Sequence, residues 1–205
     1  MHIPDGFLNI PTVAITSGIS LGSLIPAIRK VNQTLLPQRI PLIGMSAAFV
    51  FTVQLLSFPI PGGTSVHITG AVLIAILLGP YTGLVIMTSA LILQALLFQH
   101  GGLLTLGANV LNMGVIGCLI GYYLHRTLFW KYTIGAGIVA WIVIIISGLC
   151  CALELGLSGT TPFHIGLPAM TAAALITGGV EAFVTISILN ILKRIRPDLL
   201  ALEKV

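Results

Sequence analysis

The chain has 205 residues, of which 57% are hydrophobic and 7% charged, with nine Lys or Arg against five Asp or Glu. Soluble domains carry about 25% charged residues, so this composition excludes a water-soluble fold. A formal charge of +4, scattered along the chain, likewise excludes a nucleic-acid binder. What remains is an all-α integral membrane protein, a single transmembrane domain over residues 1–205. No basic stretch precedes the first apolar run, so no cleaved signal peptide is expected.

Residues 1–9 begin Met1-His2-Ile3-Pro4-Asp5-Gly6-Phe7. His2 is bulky, so the initiator methionine is expected to stay, with a free amine. That amine, the His2 amide nitrogen and the His2 imidazole close adjacent chelate rings on one metal ion. Three nitrogens in a plane, one of them a deprotonated amide, suit square-planar Ni(II) or Cu(II). Pro4-Asp5-Gly6 has turn composition and folds the terminus back over the bundle. Asp5 serves that turn or accepts a hydrogen bond from a ligand histidine.

The first span covers about residues 10–28 and the second about 40–57. Ala14, Gly18 and Gly22 repeat every four residues on the first, and Gly44 and Ala48 on the second. Such stripes serve close packing inside the bundle or docking of a partner membrane protein. Two prolines break the loop from Phe58 to Gly63. The run Gly62-Gly63-Thr64-Ser65-Val66-His67 then opens a short third span, about 65–78. His67 is the best candidate for a fourth nitrogen ligand. Thr64 and Ser65 stand beside it as groups that orient the ligands or pin the loop.

Gly79-Pro80 leads to a fourth span, about 81–98. His100 lies in the next loop and reads as a loop cap or an added ligand. The fifth span, about 105–124, starts with Asn109 and Asn112, three apart and so on one helical face; they orient ligands or pin loops. The sixth and seventh spans cover about 132–155 and 165–192. Cys118, Cys150 and Cys151 lie in apolar runs and read as small buried hydrophobes. Glu181, mid-span, reads as a structural hydrogen-bonding group. No catalytic or ATP-binding motif is present.

Seven spans put all nine basic residues, Arg29, Lys30, Arg39, Arg126, Lys131, Lys193, Arg194, Arg196 and Lys204, on one side. By the positive-inside rule the N-terminus then faces outward and the C-terminus the cytoplasm. His2, His67, His100 and His164 fall at outer ends, and Asp5 and Glu154 make that face suited to a cation.

Met-His-Ile-Pro-Asp-Gly at residue 1, Gly-Gly-Thr-Ser-Val-His-Ile-Thr-Gly before span three and Leu-Gly-Ala-Asn-Val-Leu-Asn-Met-Gly in span five resemble the NikM/CbiM group. These are nickel- or cobalt-binding S components of energy-coupling-factor transporters. The resemblance implies nickel(II) as transported substrate, cobalt(II) as the alternative, no organic cofactor, and ligands on Met1, His2 and His67. It also implies a transmembrane T component, two cytosolic ATPase subunits and a small accessory membrane subunit, in a prokaryotic cell membrane. The rival readings are a cobalt-specific S component for cobalamin synthesis, a stand-alone channel or secondary transporter, and an intramembrane metalloenzyme.

Overall fold

The computed structural model describes residues 1–60, 64–129 and 133–201. Its elements are α1 (Ile10–Thr34), a 3-10 turn (Pro37–Arg39), α2 (Ile40–Leu55), strands β1 (Ser57–Ile60) and β2 (Thr64–His67), α3 (Ala71–Leu78) and α4 (Pro80–Phe98). There follow α5 (Leu106–Val110), a π-helical stretch (Leu111–Ile120), α6 (Gly121–Leu128), α7 (Thr133–Leu157), α8 (Phe163–Ile195) and α9 (Pro197–Ala201). α5, the π stretch and α6 run on as one rod, Leu106–Leu128.

Among the described residues, five helices are long and apolar enough to cross a membrane: α1, α4, the Leu106–Leu128 rod, α7 and α8. The expected third span is not a single helix. Residues 64–67 pair with 57–60 as an antiparallel hairpin, with Ser57 opposite His67, a short interruption in an otherwise helical fold. Gly70 then takes φ +69 and starts α3, whose eight residues are all buried. At 1.5 Å per residue α3 is about 12 Å long, too short to cross alone. α2, with 16 residues, also falls short of the ~20 that a bilayer asks for. Extended backbone at this depth is tolerated only where protein covers it, and here α2 and α8 pack against β2.

α1 shows how the bundle is sorted. Asn9 caps it, its side chain accepting from the Thr12 amide at 2.9 Å, and Pro11 sits in the first turn, where no amide partner is missed. Thr12, Thr16 and Ser20 face inward, while Ile10, Ile15, Ile19 and Ile25 are exposed. Lipid is as apolar as isoleucine, so small and hydroxylated residues go to the helix interface. Ser20 Oγ donates to the Gly107 carbonyl at 2.6 Å. A Cβ on Gly107 would lie 2.5 Å from the Ser17 Cα. Gly107→Ala must therefore push two backbones apart, and a loss of about 1–3 kcal/mol is expected, read as a lower melting temperature in detergent.

The small-residue stripes face away from the bundle. Ala14, Gly18, Gly22, Gly44 and Ala48 are all exposed, and nothing stands within 4 Å of a Cβ built on Gly18, Gly22 or Gly44. Packing within the chain does not use them.

Candidate metal centre

The first three residues are interior. Met1 and Ile3 are 0% exposed and His2 is 3% exposed, and Asn109, Thr105 and Gly102 grip this segment by the Ile3 backbone. The Ile3 amide donates to Asn109 Oδ1 at 2.8 Å. The Ile3 carbonyl accepts from Asn109 Nδ2 at 3.1 Å, Thr105 Oγ1 at 2.6 Å and the Gly102 amide at 3.0 Å. Asn109 thus pairs with both the amide and the carbonyl of one residue, as a neighbouring strand would. Asp5 holds the turn. Its carboxylate accepts from the amides of Leu103, Leu104 and Thr105 at 3.0, 2.8 and 3.2 Å. These amides open the Leu106–Leu128 rod, where the helix end favours a negative charge. Asp5 is therefore a clasp on that loop. Beyond it, the Phe7 carbonyl accepts from Thr160 Oγ1, and Asn9 Nδ2 donates to the Leu157 carbonyl at 3.1 Å.

Three imidazoles meet inside this clasp. The His2 and His67 rings stack with centroids 4.5 Å apart, and His100 meets His2 edge-on at 4.2 Å. His67 Nδ1 lies 3.0 Å from the Ile68 carbonyl. A carbonyl partner requires the proton on Nδ1, which leaves Nε2 with a lone pair. The Nε2 atoms of His67 and His100 are buried without a hydrogen-bond partner among the described residues. Gly101, at φ +86, backs the cluster; a Cβ there would come within 3.3 Å of His2 Nδ1. A Cβ on Gly102 would overlap Asp5 at 2.0 Å. Across this glycine pair lies a surface cavity of about 430 Å³ bordered by Pro4, Asp5, Gln99, Gly101 and Gly102.

Burial sets the charge of these groups. It lowers the Met1 amine from its ordinary value near 8 to about 6, the Cys151 thiol opposing slightly. Burial also holds His2 well below the usual histidine range, helped by the nearby His67, the terminal amine and His100. His100 is lowered by burial and the amine. At neutral pH the nitrogens are unprotonated, the state that binds metal. The linkage has a definite sign. The unfolded amine binds its proton below about 8 and the folded one only below about 6, so stability is complete above 8 and falls as pH drops through this window. The protein should lose about 2–3 kcal/mol from this group between pH 8 and 6, seen as a falling melting temperature in metal-free buffer.

Several expected site residues lie elsewhere. Asn112 does not join Asn109, because the helix widens to π geometry at Leu111 and turns less per residue. It donates instead to Glu154 Oε2 at 2.7 Å. Glu154 is consequently buried and is not part of the outer surface. Ser65 is half-buried and pairs with Pro59 across the hairpin. The Thr64 side chain, Gly62 and Gly63 lie outside the described residues. His164 is exposed on α8. Among the described residues no group of three or more His, Cys, Asp or Glu side chains is arranged to hold an ion by itself. Sequence spacing underrated His100 and had no signal for Cys151 or Thr105 near the terminus. The contacts that bring them in span about a hundred residues of chain.

Apolar helices outside and a nitrogen-lined chamber closed by the chain's own first residues define a multi-pass membrane protein with a small polar site at one end. The family model described as the cobalt uptake substrate-specific transmembrane region, CbiM, matches residues 2–199. The chain is 36% identical to the cobalt transport protein CbiM of Geobacter sulfurreducens, over 98% of this chain and 62% of that protein. It is 33% identical to the fused nickel transport protein NikMN of Rhodobacter capsulatus, over 98% of this chain and 64% of that one. The solved structure of a truncated transition metal transporter superposes with a TM-score of 0.88 at 36% identity, covering 95% of this chain and 99% of that one. The chain belongs to the CbiM family, and is a multi-pass prokaryotic membrane protein whose relatives transport metal ions.

Proposed function

We propose that this chain captures nickel(II) at the outer membrane face as the substrate-binding subunit of an ATP-driven energy-coupling-factor transporter. The observation that carries the reading is the burial of Met1 and His2 against His67 and His100. With Met1 as first residue, the ligands are its amine, the His2 amide nitrogen and imidazole, and His67 Nε2. A deprotonated amide is a strong-field donor that favours a planar ion, hence nickel over cobalt(II). Asp5, Thr105 and Asn109 hold the chelate in place without touching the ion. Cobalt(II) is the second reading, favoured by the cobalt-transport relative.

The orientation follows from charge. α1, the Leu106–Leu128 rod and α8 start beside the chamber. Their basic residues come late: Arg29 and Lys30 in α1, Arg126 in α6, Lys193 and Arg194 at the end of α8. The chamber therefore faces outward. β2 with α3 makes a return crossing paired with α4, which supports seven crossings: His67 and His100, at either end of that excursion, both lie against His2. The exposed faces of Ala14, Gly18 and Gly22 on α1, and of Gly44 and Ala48 on α2, suit close approach of a T component. Two cytosolic ATPases and a small accessory membrane subunit complete the transporter. Calorimetric titration of the purified chain with both ions tests the reading. Tight nickel binding lost on N-terminal extension supports it; binding indifferent to extension overturns it.

A further inference from the structure

The buried acid of α8 has no part in the chelate, yet it grips the segment that carries His67. Glu181 is 1% exposed, in the middle of the longest helix. Its Oε2 accepts from the Thr69 amide at 2.6 Å. Its Oε1 accepts from the Gly70 amide at 2.8 Å and from Thr69 Oγ1 at 3.1 Å. The only ion pair among the described residues is Arg196 with Asp198, far along the chain, so the carboxylate is held by these three donors and by the N-terminal end of α3. From the other side Gln54 Nε2 donates to the Thr69 carbonyl at 3.1 Å. The Thr69 peptide is thus clamped between α8 and α2, two residues from His67. On its other flank His67 is tied to Ser57 through the hairpin.

Capping α3 alone does not need an ionised group. A carboxylate buried at this depth is costly, and a serine or asparagine would satisfy one amide. Three donors converging on one side chain ask for an all-acceptor group with two oxygens. A glutamine offers a single oxygen and turns its amino group toward a donor. We propose that Glu181 is a positioning residue for the metal site, setting the depth of His67 so that its Nε2 closes the plane begun by Met1 and His2, and thereby favouring nickel over ions of higher coordination number. The proposal rests on the capture reading above. A ligand site must be held to about 0.5 Å, and the Thr69–Gly70 grip is what limits movement of His67 along the chain.

The test uses the full chain with its native N-terminus in detergent, as wild type, Glu181→Gln, Glu181→Ala and Thr69→Val. Each is titrated with nickel chloride and with cobalt chloride, and the visible spectrum and spin state of the nickel-loaded protein are recorded. Glu181→Gln is expected to weaken nickel binding about 10- to 100-fold, to weaken cobalt binding less, and to convert a low-spin planar spectrum toward a paramagnetic one. Thr69→Val, which deletes one donor and keeps the shape, should fall between wild type and Glu181→Gln. If Glu181→Ala does not fold, these two variants decide. Nickel affinity within about twofold of wild type, with an unchanged spectrum, overturns the proposal even if the melting temperature drops, since Glu181 would then be a structural cap alone. An N-terminally extended wild type separates the two readings. Nickel binding that survives extension removes the chelate and the proposal with it; binding lost on extension but indifferent to Glu181→Gln removes the proposal alone.

Discussion

Extending the chain before Met1, or acetylating its amine, is expected to lower nickel affinity at least about 1,000-fold, or about 4 kcal/mol. Two effects add. An acylated nitrogen has no basic lone pair, so one in-plane donor is lost and the adjacent chelate ring with it. Added residues also have no room, because Met1 is 0% exposed and Ile3 behind it is held on both sides by Asn109. The extension must pull His2 out of contact with His67. The transmembrane helices satisfy their own backbone hydrogen bonds, so the extended protein should stay monodisperse and helical, with a lower melting temperature. An affinity unchanged by extension would sink the chelate.

The second large effect separates the two neighbouring histidines. His67→Ala should cost about 100-fold or more in nickel affinity, beyond the usual 10–100-fold for partners that only orient ligands. His100→Ala should cost about tenfold or less. His67 is wholly buried, and its Nδ1 contact with the Ile68 carbonyl presents Nε2 in one tautomer. His100 is half-buried and follows Gln99, a non-glycine residue at φ +52; among the described residues no contact to a carbonyl fixes its ring in this way. Titration of the two single variants checks the order, and the reverse order would move His100 into the plane in place of His67.

Much of the site was legible because its residues sit close in sequence or carry unusual chemistry. A histidine at position two, a turn at Pro4-Asp5-Gly6 and a histidine after a glycine-rich run are local signals. The rest was not, because partners about a hundred residues apart leave no periodic trace. Asp5 reads as a turn aspartate or as a ligand's partner, and only its bonds to Leu103, Leu104 and Thr105 decide for the clasp. Asn109 and Asn112 look equivalent by helical spacing, and the π stretch sends one to Ile3 and the other to Glu154. Residues 65–78 read as a continuous apolar span, since hydropathy cannot tell a buried strand and a short core helix from a membrane helix.

By itself the amino-acid sequence determined that this protein lives in a membrane, which end of it is basic and which short segments carry nitrogen donors suited to a metal. Those properties are additive over residues, so composition and local order suffice. Only the tertiary structure decided that the terminus is buried, that His100 joins the chamber, that the small-residue stripes face outward, and that Glu181 grips the turn after His67. Each of these depends on which non-local groups meet, and a buried carboxylate or amide takes whichever donors the packing brings within hydrogen-bonding reach.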